Sequence, residues 1–165
     1  MDKLIVGIIF VCFSTFCGYL LSKKYRRRKK FFQQWTIFNE RFLNEIAYYR
    51  RPLKEFYQKF EYDGDFNLFL SGFLESLTKN EGKKWEFEGL LKEFSFLEKE
   101  DKGMITDYFL MLGRGDSRSQ KEYFSSVKSP LEKRTLAVET QAKKYGDLYV
   151  KLGFLLGLAL LIIIV

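Results

Sequence analysis

No histidine occurs in the 165 residues, which removes at once the commonest general base and the commonest metal ligand. There are only two cysteines, Cys12 and Cys17, five positions apart in one uncharged stretch, so no disulfide framework and no soluble thiol nucleophile follows. Proline is nearly absent as well, with Pro52 and Pro130 the only two, so few positions forbid helix. No G-x-x-x-x-G-K-[ST] loop and no Gly-x-Gly-x-x-Gly fingerprint appears, which argues against nucleotide hydrolysis by this chain. No run of alternating apolar and polar residues is long enough for a sheet. The residues therefore supply no catalytic constellation, no metal site and no cofactor site.

What is abundant is positive charge and phenylalanine. Lys and Arg total 28 against 21 Asp and Glu, a net charge of +7. The segment KKYRRRKK, residues 23–30, holds seven of the basic residues (Lys23, Lys24, Arg26, Arg27, Arg28, Lys29 and Lys30), so the rest of the chain balances at 21 against 21. A nucleic-acid-binding domain spreads its charge over a face that follows successive phosphates; a single run on a neutral chain argues against that partner.

The run follows LIVGIIFVCFSTFCGYLL (4–21), an uncharged stretch of about 27 Å as a helix, close to the roughly 30 Å hydrocarbon core. Its positive charge lies after the apolar segment rather than before it, so an uncleaved anchor is expected rather than a signal peptide. LGFLLGLALLIIIV (152–165) reads as a second span, with Lys151 near one end and Gly153 and Gly157 at GxxxG spacing. The basic run then sets topology: residues 22–147 are expected in the cytoplasm and both termini outside. The expected organisation is a transmembrane helix at 1–22, a basic juxtamembrane segment at 23–30 contacting anionic lipid, a cytoplasmic bundle at 31–147, and a transmembrane helix at 148–165.

Between the anchors the apolar residues recur at helical spacing. Phe31, Trp35, Phe38, Phe42, Ile46 and Tyr49 mark one aromatic stripe, ending at Arg51-Pro52. Leu53, Phe56, Tyr57 and Phe60 predict a short second helix; YDGD (62–65) has the residues of a turn. Phe66 to Leu77 predict a third helix, Trp85, Leu90, Leu91 and Phe94 a fourth, and Met104 to Leu112 a fifth. Gly113 is placed for a C-cap and Asp116 for an N-cap. Ser129, Pro130 and Glu132 form a capping-box pattern, which predicts a kink or restart in the last helix. The acidic stretch EKED (98–101) reads as a solvated helix face, and RGD (114–116) as a turn between helices. The fold class is all-α, about six helices forming a bundle between two membrane spans, with 14 of the 18 phenylalanines in residues 31–147 to fill its core.

Three stretches carry a resemblance. EIAYYRRPLKE (45–55), LGRGDSRSQ (112–120) and LGFLLGLALLIIIV (152–165) are similar in order and spacing to motifs of the stage III sporulation protein AB family. The continuous last helix of that family is interrupted here by Ser129-Pro130, and the basic run is denser. The resemblance implies a scaffold or adaptor in the stage III A complex that links mother cell and forespore, set in the bacterial cell membrane around the forespore. Its helical domain would face the mother-cell cytoplasm and resemble the cytoplasmic domain of the type II secretion F protein. Implied partners are a secretion-type ATPase, membrane channel proteins and a second copy of the chain. Carried over by motif, Glu45, Tyr48, Glu55 and Gln120 become contact-surface residues, with a hydrogen bond inside the bundle the alternative for each. Pro52, Gly113 and Asp116 become structural ones.

Overall fold

The computed structural model describes residues 2–48, 53–78, 89–112 and 116–164, and among these the chain is all-α with no strand. Five helices have defined bounds: α1, Asp2–Tyr48; α2, Leu53–Lys59; α3, Gly64–Thr78; α4, Lys99–Met111; and α5, Ser117–Ile164. Residues 89–92 are also helical. The expected breaker Pro52, the C-cap position Gly113 and the side chains of Ile46, Tyr48 and Tyr49 lie outside the described residues, as does Trp85.

The chain divides into two compact units, Lys30–Thr135 and the pair of segments Met1–Lys29 and Leu136–Val165. In the unit Lys30–Thr135 the aromatic stripe of α1 is buried as the 3.6-residue period requires: Phe31, Trp35, Phe38 and Phe42 are almost wholly inaccessible. Phe109 of α4 packs against Phe69 and Phe73 of α3 with ring centroids 4.8 and 5.0 Å apart, both edge to face. Phe124 of α5 sits 4.8 Å from Tyr108 and 4.9 Å from Phe42 in the same geometry. Edge-to-face contact sets the positive ring edge against the negative face, adding about 0.5–1.5 kcal/mol per pair to the burial of the rings. The turn expected at YDGD leads into α3, whose first residue, Gly64, has a φ of 60°, a left-handed conformation that disfavours any side chain.

Two expectations are corrected here. First, α5 neither stops nor restarts at Pro130, which lies inside one helix from Ser117 to Ile164. The local capping pattern loses to packing. The imino acid costs roughly 3 kcal/mol, whereas burial of Phe124 and Leu131 on either side contributes about 1.5–3 kcal/mol each. Pro130 and Ser126 are both exposed, so the Ser126 carbonyl that loses its helical donor faces solvent. Second, Phe94 is not part of a helix. It lies with Phe96 and Leu97 in an irregular turn before α4, and all three are buried.

In the second unit, α1 and α5 run antiparallel along a seam of small residues. The Ser14 hydroxyl donates to the Gly153 carbonyl at 2.6 Å. A Cβ on Gly153 would lie 2.5 Å from the Ser14 carbonyl oxygen, and one on Gly157 2.6 Å from Val11 Cα, so both positions admit only glycine at this separation. Outward-facing side chains such as Phe13, 63% exposed, and Leu156, 61% exposed, are apolar. The helices carrying residues 4–45 and 118–163 are each long and apolar enough to cross a membrane, and they fit a two-pass membrane protein.

Candidate functional site

The residues singled out by motif fall in chemically different places. Glu45, near the C-terminal end of α1, is buried, and its Oε2 accepts from the Lys59 ammonium of α2 at 3.4 Å. That is the intrabundle role left open as the alternative. Glu55, in the first turn of α2, is exposed, and Gln120, in the first turn of α5, is half-buried. Tyr48 is the last residue of α1, and its side chain is not among those described. Among the described motif side chains, Glu55 is exposed and Gln120 partly so.

Asp116 has the capping role read from its position. Its Oδ1 accepts the Ser119 amide at 2.9 Å while its carbonyl accepts the Gln120 amide at 3.0 Å. Hydrogen bonds from the Ser119 side chain and backbone favour the charged form and hold the Asp116 carboxyl below its ordinary value.

The stretch EKED is not a uniformly solvated face. Glu98 and Asp101 form a reciprocal capping box at the start of α4, with the Glu98 amide donating to Asp101 Oδ2 at 3.0 Å. Asp101 is buried, and Arg134 Nε of α5 donates to its Oδ1 at 2.9 Å. The same guanidinium reaches Glu98 at 3.4 Å and Glu100 at 3.3 Å. Desolvation works against the charge on Arg134, but the hydrogen bond and charge of Asp101, with Glu98 and Glu100, outweigh it and raise its pKa above the usual arginine value. This network was missed in the sequence because Arg134 lies 33 residues from Asp101 and shares no motif with it.

Two further polar contacts order the bundle. The Tyr108 hydroxyl donates to Asn39 Oδ1 at 2.9 Å, buried from solvent, and the hydroxyls of Thr36 and Thr135 share a hydrogen bond of 2.9 Å between α1 and α5. Burial pushes the Tyr108 phenol well up, and it raises Tyr62 to about 12 against the opposing influence of Arg41.

The basic run is not chemically uniform either. Lys23, Lys24 and Arg26 are exposed, as expected of a membrane-surface segment. Arg28 departs from that expectation: it is 2% exposed and donates to Gln141 Oε1 of α5 at 2.9 Å, joining the two helices instead of meeting solvent. Lys30 lies 3.6 Å from Asp63. The Arg26 guanidinium stands 5.8 Å from the centre of the Tyr19 ring, and Tyr25 packs on Tyr145 and Tyr149 at 5.5 and 5.8 Å.

The family model described as stage III sporulation protein AB matches residues 3–165, both apolar helices included. No curated protein and no solved structure matches the chain. The match extends over nearly the whole sequence, and the chain belongs to the stage III sporulation protein AB family.

Proposed function

We propose that this protein is a non-enzymatic, two-pass membrane scaffold of the stage III sporulation complex, joining a cytoplasmic secretion-type ATPase to membrane channel proteins of the same assembly. The observation that carries the reading is the family match over residues 3–165, which takes in both candidate spans and everything between them. The seven basic residues directly after the first span favour a mother-cell cytoplasmic position for the intervening residues by the positive-inside rule. A rigid aromatic core and interhelix polar contacts suit a domain that transmits position. By fold-level analogy with the type II secretion F protein, the bundle receives the ATPase, with the exposed Glu55 and the half-buried Gln120 as the motif residues that meet it.

The test is affinity purification of the tagged full chain from sporulating cells after detergent extraction. The ATPase is expected to be recovered with the wild type and roughly tenfold less with Glu55→Lys combined with Gln120→Ala, the loss of about 1.4 kcal/mol of contact. Recovery no greater than from untagged cells would remove the adaptor role. A second reading, an anionic-lipid-responsive regulator, is favoured by the density of exposed charge at Lys23, Lys24 and Arg26. It would show as loss of lipid selectivity, with assembly intact, when these three are changed to Gln.

A further inference from the structure

Antiparallel pairing of α1 and α5 brings two charge clusters of the sequence into one concave site. A cavity of ≈ 610 Å³ is lined by Arg26 and Lys29 of α1 and by Glu139, Thr140, Ala142, Lys143 and Asp147 of α5. That volume lies within the range of small-molecule sites. Lys29 and Lys143 make no ion pair among the described residues. Next to its lining residues in sequence, Arg28 and Gln141 tie α1 to α5 by a hydrogen bond of 2.9 Å.

Its depth follows from helix geometry. The packed rings of Tyr25, Tyr145 and Tyr149 lie within two turns of the uncharged stretches, among the first charged residues, as in an aromatic belt at a membrane surface. Arg26 and Lys29 follow Tyr25 by one and four residues, about 1.5 and 6 Å along the axis. The headgroup layer of each leaflet is roughly 5–7 Å thick. Arg26 and Lys29 are therefore level with phospholipid head groups, with apolar faces of both helices beneath them for acyl chains.

We propose that this cleft binds a glycerophospholipid whose head group joins a phosphate to a primary ammonium, as in phosphatidylethanolamine. Arg26, Lys29 and Lys143 supply the cationic donors a phosphate requires. Asp147, one turn from Lys143 on α5, supplies an acceptor for the ammonium. A surface that only attracted negative charge would carry no carboxylates among its lysines and would prefer a net-anionic lipid. This inference rests on the two-pass reading and reverses the lipid preference that the basic run alone suggests.

The experiment reconstitutes the full chain in nanodiscs of phosphatidylcholine alone, or with added phosphatidylethanolamine or phosphatidylglycerol, and counts retained lipids by native mass spectrometry. Phosphatidylethanolamine is expected to be retained over both others. Lys29→Gln with Lys143→Gln is expected to lower retention by about fivefold per side chain, while Lys121→Gln with Lys133→Gln, exposed on α5 outside the cleft, leaves it unchanged. Asp147→Asn, an exposed and conservative change, reverses the preference toward phosphatidylglycerol. Equal loss in the two lysine pairs, preference of the wild type for phosphatidylglycerol, or displacement of lipid by inorganic phosphate would each overturn the proposal. Resistance of the chain to carbonate extraction separates these failures from failure of the membrane reading, since a chain washed free of membrane overturns both.

Discussion

The guanidinium of Arg134, in the middle of the long helix α5, lies 2.8 Å from the buried carboxylate of Asp101, which at the same time caps α4 through the Glu98 amide. Two helices are thereby joined by a group that each needs. Removing one member of such a pair strands the other: with Arg134 changed to Gln, the Asp101 charge stays buried with only its capping bonds. Arg134→Gln is expected to cost about 3 kcal/mol, and Asp101→Ala a similar amount because it also removes the cap. Chemical denaturation of the full chain in detergent checks this. The double variant should cost clearly less than the sum of the single ones, since the two changes remove one shared interaction.

Alkali should loosen the bundle through its tyrosines. In the unfolded chain a phenol ionises near 10, whereas burial raises Tyr62 to about 12 and lifts Tyr108 well above its ordinary value. The folded state therefore holds its protons where the unfolded state releases them. Their contribution is intact below pH 10 and is lost as pH rises from 10 toward 12. Absorbance near 295 nm should show these phenols ionising together with loss of helix. Tyr62→Phe should reduce the fall in stability between pH 10 and 12. Tyr108→Phe strands the buried Asn39 carbonyl oxygen as well and should cost about 1–3 kcal/mol at neutral pH.

At the acid end Asp116 sets a local limit. Its carboxyl is held below its ordinary value of 3.8 by the Ser119 hydrogen bonds, so its capping contribution is present above that pH and is lost as pH falls through the folded value. Amide exchange in the first turn of α5 should accelerate below about pH 4 before any change elsewhere in the bundle, and Asp116→Ala should show the same local exchange at neutral pH. Uniform acceleration across α5 would exclude a local cap.

Helix type and the aromatic face of α1 were legible because they depend on one chain period: Phe31, Trp35, Phe38 and Phe42 announce their burial by spacing alone. Phe94, Phe96 and Leu97 were not, since an irregular turn imposes no period on the residues it buries. Asp101 looked like its solvated neighbours because the partner that permits its burial is 33 positions away. Arg28 and Gln141 lie farther apart still, 113 positions, and the basic run is no nearer to Lys143; only the antiparallel pairing of α1 with α5 brings them together. At Pro130 the local signal was legible and was outweighed.

Pro130 therefore marks a place where stability can be gained. The residue is exposed within a continuous helix, so replacing it restores one backbone hydrogen bond to the Ser126 carbonyl and disturbs no packed neighbour. Pro130→Ala is expected to stabilise the full chain by about 1–3 kcal/mol, read as a higher unfolding midpoint in detergent. A lower midpoint would mean that a bend at this position is itself required by the packing of α5.

The glycines of the α1–α5 pair should respond in opposite directions. At Gly153 and Gly157 an added methyl would press on the backbone of α1 at Ser14 and Val11, which cannot move aside as a side chain could. At Gly146, also in α5 and also buried, an added Cβ meets nothing within 4 Å. Gly153→Ala and Gly157→Ala are expected to destabilise by roughly 1–3 kcal/mol through overpacking. Gly146→Ala should stabilise by up to about 1 kcal/mol, the helix preference of alanine over glycine. Ser14→Ala, which removes the hydrogen bond to Gly153, should cost only about 0.6 kcal/mol, since a polar group in the unpaired helix finds other partners. Equal tolerance of alanine at 146, 153 and 157 would show that the two helices do not meet along this seam.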